Sequence, residues 1–348
     1  MSNTLSLTND QIGVIVSAYF IAYALFTPIA GFLADKLGVK RVVASFIAIM
    51  GIASFLMSLS NNFLQCLAFF FIVGLGSAAA WAPMATLTRR LVPSSRRGLA
   101  LGIIDSGSSI GYLIASLIMP VLVLSYSWRL HWIVWGIASL LIAALTLIAI
   151  PHLKTPKLQS LKYPKRLSFW FTAFSYMMFG MALWVPLTFL VTYGLSEVGL
   201  SYWLASMLGV TIAISSIPGK LLLPHVSDII GRYKIISLSL FLIALSQALY
   251  VLIPSKTLIF VYTCLLGLGY GGCAPLYSAL ATDFSDRAGT ILGLWTIFYS
   301  IGSMISPKIS GMLADLTGSF KIPFIYGAIS ALVSILLIIL ASAAREKS

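Results

Sequence analysis

The chain alternates long apolar runs with short polar breaks. Each run is near the 20 residues that a helix needs to cross the hydrocarbon of a bilayer. Eleven are read: 12–34, 41–60, 64–88, 98–124, 130–150, 168–193, 202–226, 235–253, 257–281, 289–314 and 322–343. The predicted fold class is all-α, a polytopic membrane protein with 11 transmembrane helices. Pro83, Pro120, Pro186, Pro218, Pro275 and Pro307 fall inside runs. They are expected to bend helices rather than end them, since neighbouring helices re-satisfy the freed carbonyls. The one long polar interruption, 151–167, is predicted to be a linker between an N-terminal bundle of five helices (1–150) and a C-terminal bundle of six (168–348).

The two halves repeat each other. Gly31-Phe-Leu-Ala-Asp35-Lys-Leu-Gly38-Val-Lys-Arg41 closes the first run, and Pro224-His-Val-Ser-Asp228-Ile-Ile-Gly231-Arg232-Tyr-Lys234 closes the seventh. Asp35 with Asp228, Gly38 with Gly231 and Arg41 with Lys234 all stand at an offset of 193. Gly74-Leu-Gly76 recurs as Gly267-Leu-Gly269, and Ser109-Ile-Gly111 recurs as Ser300-Ile-Gly302. Runs one to five therefore match runs seven to eleven in the same orientation. The sixth run has no partner, so the expectation is a first half that begins one helix late. Duplication about a central site is a common plan for secondary transporters.

Composition supports lipid as the solvent. The chain is 59% hydrophobic and 9% charged, with a mean hydropathy of +1.01. A soluble domain carries roughly 25% charged residues. The net charge of +13 invites a nucleic-acid reading until the basic residues are located. Seventeen lie in loops on one side, three (Arg129, Lys256, Lys321) on the other, and Lys220 and Lys308 lie within runs. The positive-inside rule makes the first side cytoplasmic, so the N-terminus is expected outside and the C-terminus in the cytoplasm. Membrane lipids are the expected partners, not nucleic acid. Compact loops suggest a prokaryotic cytoplasmic membrane, and a monomer is expected. Residues 1–11 lack the features of a signal peptide. Cys66, Cys264 and Cys273 all lie within runs, and no ligand cluster accompanies them, so neither a disulfide framework nor a metal is expected. No cofactor is expected either.

The loop Gly31-x-Leu33-Ala-Asp35-Lys-x-Gly38-x-Lys-Arg41 resembles the signature after the second helix of the major facilitator superfamily. The resemblance covers nearly the whole chain and implies the major facilitator fold with alternating access. It also implies a gating role for Gly31, Asp35, Gly38 and Arg41, and for Asp228, Gly231 and Arg232 in the second copy. In that family the loop carboxylate, here Asp35, meets basic residues and a helix N-terminus, here near Gly289; a helix N-terminus attracts an anion. The bland alternative is that these basic residues set orientation alone. Two departures restrict the subgroup. Phe70 stands where proton-linked drug and sugar carriers usually have an arginine. Gly107-Ser-Ser-Ile-Gly111-Tyr112 replaces the Gly-Pro-x-x-Gly-Gly of multidrug antiporters. Arg96-Arg-Gly-Leu-Ala-Leu-Gly102, with Gly219-Lys220 eight residues before Asp228, is more similar to carriers of organic anions.

Ionisable groups inside a membrane are costly and mark functional positions by default. Three stand out: Asp105, Lys220 and Lys308. Asp105 and Lys220 each lie eight residues from a basic or acidic loop, roughly 12 Å into the bilayer at 1.5 Å per residue. They are expected to pair in one access state, with an anionic substrate competing for the lysine. Asp105 also heads a polar stripe of Ser108, Ser109, Tyr112 and Ser116 at helical spacing. The alternative readings are helix packing for the stripe, and snorkelling to headgroups for Lys220 and Lys308. Trp81 and Tyr270 are further candidates for substrate contact.

Two motifs mislead. Gly267-Leu-Gly-Tyr-Gly-Gly272 matches a dinucleotide glycine pattern, but it lies in mid-run with no strand before it. Gly107-Ser-Ser109-Ile-Gly111 matches a nucleophile elbow, but no histidine is expected near Ser109. The chain is therefore read as a non-enzyme. It is a permease, a secondary active transporter of a small organic anion or carboxylate, with a proton or counter-substrate as coupling partner. The rivals are a non-transporting receptor, a degenerate carrier, and an efflux permease for small hydrophobic compounds.

Overall fold

The computed structural model describes residues 2–80, 92, 97–150, 167–282, 284 and 288–346. Its helices are α1 (Ser2–Leu5), α2 (Asn9–Leu37), α3 (Val39–Ser58), α4 (Phe63–Ser77), α5 (Arg97–Ser125) and α6 (Trp128–Ala149). The second half holds α7 (Leu167–Ser196), α8 (Tyr202–Ile230), α9 (Arg232–Leu252), α10 (Leu258–Thr282), α11 (Ala288–Thr317) and α12 (Lys321–Glu346). No strand occurs among the described residues. Eleven helices, α2 to α12, follow the eleven apolar runs, and among the described residues nine are long and apolar enough to cross a membrane. The part of the third run beyond Ala80, and nearly all of the linker, lie outside the described residues.

Local chemistry sets the helix ends. Thr8 starts α2 with a reciprocal cap: its hydroxyl accepts from Gln11 N at 3.1 Å, and Gln11 Oε1 accepts from Thr8 N at 3.1 Å. Single glycines join α2 to α3 and α8 to α9. Gly38 (φ +92°, ψ 141°) donates its N–H to Ala34 O, and Gly231 (φ +108°, ψ 137°) donates to Ser227 O. Only glycine enters that backbone region at little cost. The repeat read from the sequence is therefore also a repeat of backbone conformation.

The chain divides into two compact units. One comprises Met1–Leu101 with Val121–Leu161; the other comprises Gly102–Pro120 with Lys162–Ser348. The middle of α5 thus belongs with the second unit.

Within the first unit α2 packs on α4, and α3 packs on both α4 and α6. Arg129, at the start of α6, donates to Ser60 O at 2.9 Å and to Asn61 Oδ1 at 2.8 Å, tying the α3–α4 turn to α6. Within the second unit the same pairings recur as α8 on α10, and α9 on α10 and α12. The glycine contacts recur with them. A Cβ on Gly74 would lie 2.2 Å from Tyr19 O, and one on Gly267 would lie 2.7 Å from Ile212 O, so both helices need hydrogen there. A Cβ on Gly76 would meet Met50, and one on Gly269 would meet Ile243. Tyr19 and Ile212, like Met50 and Ile243, are 193 residues apart. Helix α7, packed on α11 and α12, has no counterpart in the first unit among the described residues.

Candidate functional site

Residues 105, 109, 112 and 116 lie on one face of α5, because i, i+4, i+7 and i+11 coincide on a helix. That face meets α8 in an antiparallel register. Asp105 faces Lys220, Ser109 faces Ser216, and Ser116 faces Gly209, the residue numbers of each pair adding to the same total. Ser216 donates to Ala213 O at 2.8 Å, so Ser109 is the donor in its 2.9 Å bond to Ser216. At Gly209 a Cβ would lie 2.4 Å from Ser116 Oγ; glycine lets the helices close there.

Lys220 is the charged residue at the centre. Its side chain is 3% exposed and that of Asp105 is 22% exposed. The ammonium lies 3.0 Å from Asp105 Oδ2 and donates to Asp105 O and Ser108 Oγ, each at 2.9 Å. Ser108 in turn donates to Asp105 O at 2.6 Å. Asp105 Oδ2 makes no hydrogen bond of good geometry despite the 3.0 Å separation, so charge rather than alignment holds the pair. The Lys220 ammonium also stands 5.5 Å from the centre of the Tyr270 ring, within cation–π range.

A cavity of about 210 Å³ opens beside the pair, within the second unit. Tyr112, Trp184, Tyr270 and Tyr299 supply its aromatic wall, Ser108, Ser109 and Ser216 its hydroxyl edge, and Leu183, Leu187 and Ala213 the remainder. Ser108 and Tyr270 connect the cavity to Lys220. Trp184 Nε1 donates to Tyr299 Oη at 3.0 Å, and the Tyr299 ring stacks on Tyr176 at 4.9 Å between centroids. The aromatic wall is therefore braced from behind.

The structure brings together Asp105, Lys220, Ser109, Tyr112 and Tyr270 from the sequence reading. It does not bring Lys308 to them: that residue is exposed on α11 and is absent from the cavity wall. Trp81 lies outside the described residues. Phe70 packs between Tyr19 at 5.5 Å and Trp132 at 5.7 Å in the first unit. Ser216 and Tyr299 were not singled out from the sequence. Ser216 carried a usable signal, one helical turn before Lys220 on the same face.

The turn residues are placed as follows. Gly31 has open space around it, Arg41 is exposed, and the Asp35 side chain lies outside the described residues. Asp228 Oδ1 is 3.9 Å from Arg232 Nη2 with a 67% exposed carboxylate; such a pair contributes little stability. Arg232 Nη1 also donates to Ala279 O at 2.6 Å, tying the start of α9 to the last turn of α10. Both misleading motifs resolve as packing. Gly267, Gly269, Gly271 and Gly272 face α8 and α9 at close range, and Ser109 bonds a serine. Among the described residues no cluster of ligands is able to hold a metal.

The chain covers 82% of “Probable sulfoacetate transporter SauU” of Cupriavidus necator, with 27% identity over 92% of its own length. It is 23% identical to the hexuronate transporter of Bacillus subtilis, over 93% of this chain and 84% of that one. The crystal structure of the human organic anion transporter MFSD10 (TETRAN) has the same fold, with a TM-score of 0.73 and 15% identity over 94% of this chain and 83% of that one. The family model described as Major Facilitator Superfamily matches residues 1–307 and 172–348. With its helices and their internal repeat accounted for, the chain belongs to the Major Facilitator Superfamily.

Proposed function

We propose that this multi-pass transporter moves a small organic anion by secondary active transport with alternating access. One observation carries the reading: a lysine ammonium, buried within the apolar helices and neutralised by Asp105, reaches the wall of an aromatic-lined cavity. A buried cation attracts an anion far more strongly than a surface one does. Relatives named for sulfoacetate and hexuronate agree in the sign of the charge.

In this cycle the incoming anion takes the place of Asp105 at Lys220. Asp105 is then left without its counter-charge, and an uncompensated buried charge costs about 3–5 kcal/mol. Uptake of a proton by Asp105 removes that cost, which makes Asp105 the coupling group. The two glycine turns act as gates, through Gly31, Asp35, Gly38 and Arg41 in one copy and Asp228, Gly231 and Arg232 in the other. The basic loops face the cytoplasm. Lys308, exposed on α11 and absent from the cavity wall, is assigned no contact with the substrate.

Uptake of labelled short-chain, sugar and ring carboxylates into proteoliposomes, against protein-free vesicles, tests the reading. At least one is expected to accumulate, with Lys220→Ala lowering uptake about tenfold or more and Lys220→Arg retaining part of it. Uptake indifferent to Lys220→Ala removes the lysine from the site. No uptake of any anion by well-reconstituted protein removes the transport reading.

A further inference from the structure

We propose that the substrate is an aromatic monocarboxylate built on a single ring. The inference rests on the anion reading above and narrows it from the character of the cavity wall.

Charge comes first. Among the described residues, none that lines the cavity carries a charge at neutral pH; Lys220 stands behind Ser108 and Tyr270. One ammonium matches one carboxylate. A dianion would bring a second charge against leucine and aromatic rings, where no described residue of the wall compensates it.

Size follows. A cavity of about 210 Å³ is smaller than the roughly 300–1,000 Å³ of sites for drug-sized ligands. A single ring with its carboxylate suits that space.

The character of the wall decides between ring types. A sugar acid presents several hydroxyls and needs a wall rich in amides, carboxylates or unengaged hydroxyls. Among the described residues the wall has no Asn, Gln, Asp or Glu. Its three serine hydroxyls already donate elsewhere: Ser109 to Ser216, Ser216 to Ala213 O, and Ser108 to Asp105 O while accepting from Lys220. The Trp184 N–H is held by Tyr299. Four of the lining residues are flat rings, Tyr112, Trp184, Tyr270 and Tyr299. They offer faces and edges to another ring, the contact aromatic groups favour. Tyr270 carries both halves of the recognition, since it lines the cavity and lies under the Lys220 ammonium. The carboxylate is directed to the Lys220 end and the ring towards Trp184.

Equilibrium binding to the full chain in lipid nanodiscs, with empty nanodiscs subtracted, tests this without interference from passive permeation of weak acids. The probes are benzoate, cyclohexanecarboxylate, terephthalate, glucuronate and sulfoacetate. Benzoate is expected to bind about tenfold more tightly than each of the others, and Tyr270→Leu to erase most of its advantage over cyclohexanecarboxylate. Quenching of tryptophan fluorescence by benzoate, lost in Trp184→Phe, is the accompanying signal. Equal binding of benzoate and cyclohexanecarboxylate overturns the aromatic assignment, and tighter binding of terephthalate overturns the single charge. Preference for glucuronate or sulfoacetate overturns the substrate class, while Lys220-dependent binding of either leaves the anion reading standing. Binding of none of the five overturns both.

Discussion

At the scale of single residues, Lys220 dictates its own surroundings. An ammonium has three N–H groups and no acceptor, and a buried one needs counter-charge and acceptors together. A single turn of α5 supplies them as the Asp105 carboxylate, the Asp105 carbonyl and the Ser108 hydroxyl. Removing one member leaves the other charge unmatched, so Asp105→Asn is expected to destabilise the protein by about 3–5 kcal/mol. Asp105→Asn combined with Lys220→Gln is expected to regain most of that loss. Thermal unfolding of the four proteins in detergent measures it, and simple additivity of the two single losses would show that the pair does not act as a unit. Both charges were evident in the sequence because a charge in an apolar run is conspicuous. Ser216 and Tyr299 were not evident, because serine and tyrosine occur throughout apolar helices in packing roles. Only the fold shows which of them face a hollow.

At the scale of helices and turns, the α2–α3 and α8–α9 junctions are the clearest case of sequence dictating structure. Gly38 and Gly231 hold positive φ, and a Cβ on either meets nothing within 4 Å. Replacement by alanine therefore costs backbone strain and little else. Gly231→Ala is expected to lower stability by about 1–3 kcal/mol, read as a shift of the unfolding midpoint, whereas a D-alanine placed there by semisynthesis should be tolerated. A midpoint unmoved by Gly231→Ala would mean the turn relaxes to another conformation. Another junction depends on tertiary contact. Glu197, after α7, accepts from Ser319 Oγ at 3.0 Å and from Phe320 N, and so caps the start of α12 from a distance of more than 120 residues in sequence. Glu197→Ala is expected to cost about 1 kcal/mol, with hydrogen exchange fastest in the first turn of α12. Protection there equal to that of the unmodified protein would deny Glu197 the capping role. Nothing local to Lys321–Glu346 announces that cap.

At the scale of the whole molecule, duplication and charge together frame the transport cycle. If Asp105 carries the coupling proton, Asp105→Asn is expected to abolish accumulation driven by an inward proton gradient while preserving substrate exchange across the membrane. Proteoliposome assays with and without the gradient separate the two, and gradient-driven accumulation by Asp105→Asn would rule the carboxylate out. The sequence by itself determined the membrane setting, the eleven helices, the internal repeat and the glycine turns. Each of these depends on a run length, a spacing or a backbone requirement carried by neighbouring residues. Tertiary structure decided which polar groups meet. Asp105 and Lys220 are separated by 115 residues, and their approach requires α5 and α8 to pack antiparallel in one register, with glycine at position 209 admitting Ser116. In lipid the outer faces of helices are as apolar as the inner ones. Hydrophobic periodicity therefore gives weak guidance to the inward face, and Lys308 and Lys220 look alike until the helices are assembled.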